Sequence, residues 1–360
     1  MSLPVLMNDA AIDEFARELD TIRDEVMESR GDADRRYLLR LIRFQRSLAL
    51  GGRVVILASF ALSAWFLPVI VLGSAMLGLG KILENMEIGH NVMHAQWDWM
   101  RDPEIQSGTW EWDIVCPSDQ WRHSHNVVHH TWTNVVGRDR DVGYGMLRVS
   151  ERQRWHPFYL LQPLWMLLMA TLFEWFIALH DLEINRLVAG KRTFAQLRPM
   201  LRRIGHKVGR QSLKDYVLWP ALAGPFFLWV LAANAAANLF RNLWTFVIIF
   251  CGHFPDGAHY FTKEEVADES RGAWYVRQVL GSCNIDGGRL FHVITGNLSH
   301  QIEHHLFPDM PSNRYPQVAP RVRALCARYG VPYHTSSLGR QFGSTTWKIF
   351  RLSLPTPATA

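Results

Sequence analysis

The chain has 360 residues, an apolar content of 48%, a formal net charge of +5 and a mean hydropathy of −0.05. These values fit neither a fully soluble enzyme nor a bundle made only of membrane spans, so they indicate a mixed architecture. The positive charge indicates attraction to anionic headgroups or an acidic partner rather than to nucleic acid, because the arginines cluster beside apolar segments.

The first fifty residues predict two helices that precede the apolar segments. An amphipathic helix is expected over 9–28, docked on the protein or on the bilayer, because apolar residues recur there at helical spacing, namely Ile12, Phe15, Leu19, Ile22 and Val26. A basic helix is expected over 35–46. No signal peptide is expected, because acidic and basic side chains alternate throughout this region.

The first apolar segment runs without charge from Val54 to Gly80, 27 residues, and exceeds the roughly 20 residues of one membrane span. Pro68 lies near its middle. We therefore predict a hairpin of two short spans over about 54–88, joined at that proline. One long tilted span is the alternative interpretation.

The second apolar region combines the uncharged runs Val217–Phe240 and Asn242–Pro255. We predict a second hairpin over about 217–254, with its turn at the polar interruption "AANAAAN", Ala232 to Asn238. A single tilted span is again the alternative.

A third apolar stretch, Pro157 to Leu179, contains Pro163 and Glu174 and is followed by His180 and Asp181. These residues favour an interfacial or re-entrant helix over about 157–180 rather than a span. The arginine-rich N-terminal segment and the nine Lys/Arg of residues 186–214 place the ends of both hairpins in the cytoplasm.

The predicted fold is an all-α integral membrane protein with four transmembrane helices in two hairpins and a cytoplasmic helical cap. The expected organisation is a cytoplasmic segment of amphipathic helices at 1–53, a membrane domain at 54–335 and a C-terminal tail at 336–360. Within that tail, the residues after about Leu354, "PTPATA", look disordered.

The histidines form three clusters: "GHNVMH", "WRHSHNVVHHTWTN" and "SHQIEHHLFP". In each cluster two histidines are four residues apart, so they project from one face of a helix. Adjacent histidines turn away from that face, so each cluster could reach two centres. The candidates are His90, His94, His125, His129, His130, His300, His304 and His305.

Neutral imidazoles at this repeated spacing would keep unpaired lone pairs in a partly buried site without a metal. Eight or nine nitrogens exceed the roughly six ligands of one octahedral ion and therefore imply two ions. The four cysteines are far apart, which argues against an iron–sulfur or structural zinc site. Imidazole suits iron, and a redox-active pair with open positions suits dioxygen. A haem-containing electron carrier or another metal-binding membrane protein is the alternative of a different class.

The three motifs "HNVMH", "HNVVHH" and "HQIEHH", in this order and with apolar segments before the first and between the second and third, resemble the membrane fatty acid desaturases. The resemblance covers roughly residues 50–335. The wording of "NMEIGHNVMHAQWDWMRDPE" and "FCGHFPDG" is most similar to the actinobacterial acyl-CoA (stearoyl-CoA type) desaturases.

This resemblance implies a membrane di-iron enzyme of lipid metabolism that uses O2 to desaturate a long-chain acyl chain. The substrate would be a fatty acyl-CoA or acyl lipid, with C9–C10 favoured as the position, and the membrane a bacterial-type inner or plasma membrane. The active site and both termini would be cytoplasmic. A lipid or alkane hydroxylase with the same metal site is the closest alternative enzyme.

Residue by residue, the resemblance assigns as iron ligands His90, His94, His125, His129, His130, His304 and His305. In the third motif either His300 or Gln301 occupies the remaining ligand position, and we predict His300. One more ligand is expected from the end of the fourth span, where we favour His253 over His259. The remaining histidines are expected to be structural.

Carboxylates beside the motifs are candidates to accept ligand N–H groups, namely Glu87, Asp98, Asp256 and Glu303. Six tryptophans between Trp97 and Trp132 could line an acyl tunnel or simply pack. The chain contains no "HPGG" segment of a fused cytochrome b5, so a separate NAD(P)H-dependent reductase or electron carrier is expected. Its predicted docking surface is the basic segment 186–214.

Overall fold

The computed structural model describes residues 7–356, apart from the side chain of Asn185. The prediction of a mostly helical protein is confirmed, and the described part adds one small parallel sheet. Residues 357–360, the end of the segment expected to be disordered, lie outside the described residues.

Two helices precede the first membrane segment: α1, Asp9–Glu28, and α2, Asp32–Ala58. The side chain of Asn8 accepts a hydrogen bond from the Ala11 amide and so caps α1. The five predicted apolar positions of α1 are buried, which confirms the amphipathic helix. It docks on the protein itself, against helices later in the chain. The predicted basic helix forms the first half of α2.

The first membrane segment, Ser63–Met93, is helical and is long and apolar enough to cross a membrane. It contains the short 3-10 turn Ser63–Trp65, α3 at Phe66–Ile82, a π-helical stretch at Leu83–His90, and α4 at Asn91–Met93.

The predicted turn at Pro68 is wrong. The chain reverses between α2 and α3, over Ser59–Trp65, and Pro68 lies in the first turn of α3. A proline costs little there, because the first amides of a helix have no intrahelical acceptor.

Backbone contact between α2 and α3 depends on two glycines. A β-carbon on Gly52 would lie 2.7 Å from the Leu77 nitrogen and 2.8 Å from the Gly73 oxygen, and one on Gly73 would lie 2.9 Å from the Ile56 nitrogen. The two helices therefore approach each other as closely as they do only because both positions lack a side chain.

The middle of the chain carries shorter helices. They are α5 (Ser118–Trp121), a π-helical stretch (Arg122–His129), α6 (His130–Trp132), α7 (Gln162–Thr171), α8 (Phe173–His180) and α9 (Ile184–Val188). The stretch Pro157–Thr171 meets α8 at a bend of 102°. Such a bend is compatible with a broken span or with a re-entrant segment, so the interfacial helix at 157–180 stays a prediction.

The second membrane segment ends in the 27-residue helix α12 (Phe227–His253), which follows the 3-10 turn Gly224–Phe226. Before this segment lie α10 (Phe194–Ser212), a π-helical stretch (Leu213–Leu218) and α11 (Trp219–Leu222). Residues Gly224–His253 are long and apolar enough to cross a membrane.

The predicted turn at Ala232–Asn238 is also wrong, because α12 continues through it without a break. Its two asparagines are buried and have partners inside the protein. Asn234 donates to the backbone oxygen of Asp215 at 2.6 Å, and Asn238 donates to the Tyr216 hydroxyl at 2.8 Å. The two asparagines therefore connect α12 to the π-helical stretch Leu213–Leu218. The alanines between them have a high helix propensity and favour an unbroken helix.

Within the described residues, two helices are long and apolar enough to cross a membrane. There are three if Pro157–Thr171 and α8 together form one bent span. The four-span prediction and the cytoplasmic placement of the cap therefore stay predictions.

The C-terminal third holds α13 (Arg271–Leu280), β1 (Asn284–Asp286), α14 (Arg289–Ile294), α15 (Gln301–Leu306), α16 (Tyr315–Tyr329), β2 (Thr335–Ser337) and α17 (Leu338–Leu352). Strands β1 and β2 pair in parallel. The predicted tail at 336–360 thus contains a strand end and a helix that packs on α12. The largest apolar core lies between α1, α13, α15 and α16.

Candidate metal centre

The first histidine motif sits where α3 loses regular α-helical geometry. His90 ends the π-helical stretch, and His94 follows α4. A π-helical turn widens the helix by one residue and is frequent at functional sites. Both imidazoles are buried, and their ring centroids lie 4.6 Å apart.

The second motif also lies on a π-helical stretch, Arg122–His129, and continues into α6. His129 and His130 are buried, and His125 is nearly so. His123, in the same stretch, is exposed.

The remaining histidines come from two helices that face these motifs. His253 is the last residue of α12, and its partners His304 and His305 lie on α15. Ile302 and Leu306 on α15 pack into the apolar core. This packing fixes the position of α15, so that His304 and His305 are buried against the other two motifs.

The structure brings seven histidines into two groups whose ring nitrogens lie within 4.8 Å of one another. Group A contains four residues, His90, His94, His125 and His304. Group B contains three, His129, His253 and His305. The second and third motifs contribute to both groups. In the third motif the adjacent pair His304 and His305 divides between them, as expected, whereas in the second motif His125 and His129 divide although their spacing predicts a shared face.

Short distances between Nε2 atoms define both groups. In group A, His90 Nε2 lies 3.4 Å from His125 Nε2. In group B, His253 Nε2 lies 3.1 Å from the Nε2 atoms of both His129 and His305. These atoms therefore converge on two points rather than one.

His130 lies between the groups. Its ring centroid is 4.7 Å from that of His94 in group A and 4.6 Å from that of His305 in group B. Neither of its nitrogens has a hydrogen-bond partner among the described residues. A buried imidazole with two free nitrogens is suited to bind a ligand that the chain itself does not supply.

Burial keeps most of these side chains in the neutral form. It lowers the pKa of the imidazoles of His94, His130, His304 and His305 well below the ordinary value. At His129 burial also acts to lower the pKa, but the Asp139 carboxylate outweighs it and raises the pKa. Neutral imidazole is the form that binds metals.

Contacts to the Nδ1 atoms orient the imidazole rings of each group. Two carboxylates contact these Nδ1 atoms directly, and the sequence did not predict either of them. Asp139 Oδ2 lies 3.0 Å from His129 Nδ1, and Asp141 Oδ2 lies 3.5 Å from His125 Nδ1. Both belong to "GRDRDVG", an irregular loop after the second motif. Two aspartates two residues apart, shortly after a histidine motif, are the only sequence signal for them.

Of the four carboxylates expected to serve this purpose, one acts indirectly. Glu87 accepts hydrogen bonds from Asn297 and from Asn91, and the Asn91 oxygen lies 3.1 Å from His90 Nδ1. Glu303 accepts instead from Asn284 and Tyr333. Burial raises the pKa of Glu303 to about 7.

The other two expected carboxylates bind elsewhere. Asp98 accepts hydrogen bonds from Ser107. Asp256 lies 3.5 Å from the ammonium group of Lys348. Neither contacts a histidine of the two groups.

The structure does not bring His300 to either group. Its ring packs on His292 with centroids 4.4 Å apart, and His300 precedes α15 with a non-helical backbone. The four-residue helical spacing to His304 therefore does not apply, and the ligand role of His300 stays a prediction without geometric support. Gln301 takes the nearer position, with Nε2 3.4 Å from His253 Nε2.

His259, the alternative to His253, lies outside both groups. Its backbone amide donates to the Leu280 oxygen, while its backbone oxygen accepts from Asn134. The location at the end of α12 thus favours His253.

A cavity of about 50 Å³ borders both groups. His90, His125 and His253 form one part of its wall, and the rest combines apolar side chains such as Ile177 and Ile249 with polar ones such as Asn85 and Thr245. Trp112 and Trp121 are the two tryptophans that line it, and the other four lie outside its wall.

The donor set fits two metal ions that prefer nitrogen. The Nε2 atoms of His94 and His304 are buried without a partner among residues 7–356, as are both nitrogens of His130. Such buried lone pairs cost free energy unless they bind something. The four cysteines are free and buried, and cysteine contributes to none of the candidate metal groups of the described chain.

Comparison with known proteins gives a consistent result. The model of the fatty acid desaturase family matches residues 63–337. An NADPH-dependent stearoyl-CoA 9-desaturase of Mycobacterium tuberculosis is 49% identical over 353 residues, 97% of this chain and 82% of the relative. An sn-1 linoleoyl-lipid 6-desaturase of Synechocystis is 26% identical over 297 residues, which cover 78% of this chain and 82% of that protein.

Proposed function

The chain belongs to the fatty acid desaturase family, and we propose that it inserts a double bond at C9–C10 of a long-chain acyl-CoA, using O2 and an external electron donor. The relative that is 49% identical over nearly the whole chain supports the acyl-CoA substrate and the C9 position.

The observation that carries this proposal is the pair of histidine groups. We propose as iron ligands the seven histidines of groups A and B together with His130, which lies between them. Two irons would supply the activation of O2 and the removal of hydrogen from an unactivated methylene.

The chain's own residues have three tasks in this reaction. Asp139, Asp141 and Asn91 fix the tautomer and direction of ligand rings through Nδ1, which leaves Nε2 toward the metal. The cavity would receive the reacting carbons of the acyl chain beside His90, His125 and His253. Its apolar side chains exclude water from the reacting carbons.

The reaction needs reducing equivalents from outside the chain. Two hydrogens leave adjacent methylenes, and O2 accepts these together with two electrons and two protons to form two waters. We propose that a separate NAD(P)H-dependent reductase or carrier supplies the electrons. The basic residues of 186–214 remain our candidate docking surface, because α10 presents exposed arginines without ion pairs in the described structure, among them Arg198 and Arg202.

We also propose that the histidine groups and both termini face the cytoplasm. Exposed arginines on the first half of α2, such as Arg36, Arg40 and Arg43, precede the membrane segment and support this orientation. Cysteines introduced at Arg36 and at Trp65, labelled in intact cells with a membrane-impermeant reagent, test it. Labelling is expected at 65 and not at 36, and the reverse pattern would contradict the orientation.

The activity is tested with purified protein, stearoyl-CoA, O2 and a reducing system, with products analysed by mass spectrometry after derivatisation of the double bond. We expect a monounsaturated product with the bond at C9–C10. A hydroxylated product would replace the desaturase by a hydroxylase with the same metal site. Haem in the purified protein and no change in the acyl chain would favour an electron carrier.

A further inference from the structure

A second, wider cleft of about 550 Å³ adjoins the cavity beside the histidine groups. It is lined by the loop 136–146 that follows the second motif and by the end of α8. Tyr144 and His180 belong to the walls of both the cleft and the cavity. These two side chains therefore stand between the open cleft and the metal centre.

Tyr144 is held in this position by an unusual backbone. Gly143, Tyr144 and Gly145 have φ values of 62°, 52° and 69°, so three successive residues adopt the left-handed conformation. That conformation is unfavourable for a residue with a β-carbon, and such strain persists only when the surroundings enforce it. The ring of Tyr144 packs on His180, Phe173 and Phe250, with centroids 5.3 to 5.9 Å away.

The outer end of the cleft carries positive charge. Arg138 is exposed, has no acidic partner among the described residues, and stacks on Trp132 at 4.2 Å. Lys263, also without an ion pair in the described part, lies over Gly137, its Nζ 3.3 Å from where a β-carbon there would be. Arg138 and Lys263 are both free to bind a phosphate group. Gly137 lies beside them and has no side chain that would block the approach of the phosphate.

The carboxylates of the cleft are already engaged. Asp139 is buried against His129 and accepts from the amides of Asn134 and Asp141. Glu183 lies 3.2 Å from both Arg186 and Arg192. The mouth of the cleft therefore offers unpaired positive charge and little free negative charge.

We infer that this cleft holds the phosphate-bearing headgroup of the acyl-CoA, with Arg138 and Lys263 at the phosphates, and that the acyl chain reaches the metal centre past Tyr144. This inference rests on the proposed function. It assigns Tyr144 as the residue that positions the chain and thereby limits which carbons reach the histidine groups.

The headgroup part is tested by comparing stearoyl-CoA with the N-acetylcysteamine thioester of stearate, which carries the same chain and no phosphate. The double variant Arg138→Ala/Lys263→Ala should raise KM for stearoyl-CoA about tenfold or more and change KM for the truncated thioester less than twofold. Arg328→Ala, an exposed arginine on α16, is the matched control and should leave both KM values unchanged. Equal effects on both substrates, or none, would overturn the headgroup assignment.

The passage is tested at Tyr144 itself. Tyr144→Ala should yield additional double-bond positions next to C9–C10, and Tyr144→Trp should lower kcat/KM for both thioesters at unchanged iron content. A single unaltered double-bond position in Tyr144→Ala, together with wild-type kcat/KM in Tyr144→Trp, would overturn the role of Tyr144. If the wild-type protein forms no olefin from either thioester, the proposed function fails, and this inference fails with it.

Discussion

Groups A and B contain the same kind of ligand but differ in what orients them. In group B the Nδ1 contacts are short, 3.0 Å from His129 to Asp139 and 2.8 Å from His253 to the Ile249 oxygen. In group A two of them are longer, 3.5 Å from His125 to Asp141 and 3.4 Å from His304 to the Tyr315 hydroxyl, whereas His90 lies 3.1 Å from the Asn91 oxygen. Two histidines of group A are therefore held more loosely than those of group B.

The largest effect is expected where the groups meet. Because His130 contacts both groups, His130→Ala should abolish desaturation and lower the iron content of both sites. Exposed His123, seven residues earlier, gives the matched control, and His123→Ala should retain wild-type activity. Activity and iron are measured on the same detergent-purified samples. Wild-type iron content in His130→Ala would show that His130 does not join the groups.

Substitution of the carboxylates that orient the ligand rings should affect the two groups to different extents. Asp139→Asn should lower activity or iron affinity about 10- to 100-fold, the usual range for a residue that orients a ligand. Asp141→Asn should have the smaller effect, because its contact to His125 is longer. Iron titration followed by optical or Mössbauer spectroscopy measures both. A larger loss in Asp141→Asn would reverse the order of the two groups.

A smaller effect is expected from a substitution at the contact between α2 and α3, which supports the helix leading to group A. Gly52→Ala should destabilise the protein by about 1–3 kcal/mol, because its β-carbon would meet the backbone of α3, the helix that leads to His90 and His94. Gly51→Ala should cost far less, since the nearest atom there is the terminal methyl of Met76 at 3.4 Å. Thermal unfolding in one detergent compares the variants. Equal melting temperatures would mean that α2 and α3 can separate at no cost.

The smallest effect is expected at the residue that the spacing rule selected. His300→Ala should keep two irons and lose no more than a few-fold in activity, because its ring faces His292. Gln301→Ala should disturb group B more, since Gln301 contacts His253. Iron analysis of both variants decides between the two residues. Loss of an iron in His300→Ala alone would restore the original ligand assignment.

The sequence predicts most of the site because three motifs carry their histidines on helices with fixed spacing. Its prediction of His300 lacks geometric support, since α15 begins one residue later and the spacing argument needs a helix. It also misses Asp139 and Asp141, whose positions depend on an irregular loop that no periodicity describes.

In the fold as well, elements that depend on local sequence patterns are predicted, whereas those that depend on tertiary contacts are not. The amphipathic helix at 9–28 follows from apolar spacing alone and is confirmed. The turn expected at Ala232–Asn238 is wrong because Asn234 and Asn238 bond to Asp215 and Tyr216 on another segment. Polarity inside an apolar run can therefore mark a buried contact between helices as well as a turn.

The most direct test of the account is the metal content of the wild-type protein, measured by elemental analysis on samples expressed in iron-sufficient medium. The two histidine groups predict about two irons per chain, and His94→Ala in group A and His305→Ala in group B should each retain about one. A single metal ion in the wild-type chain, or stoichiometric zinc in place of iron, would contradict the two-site iron centre.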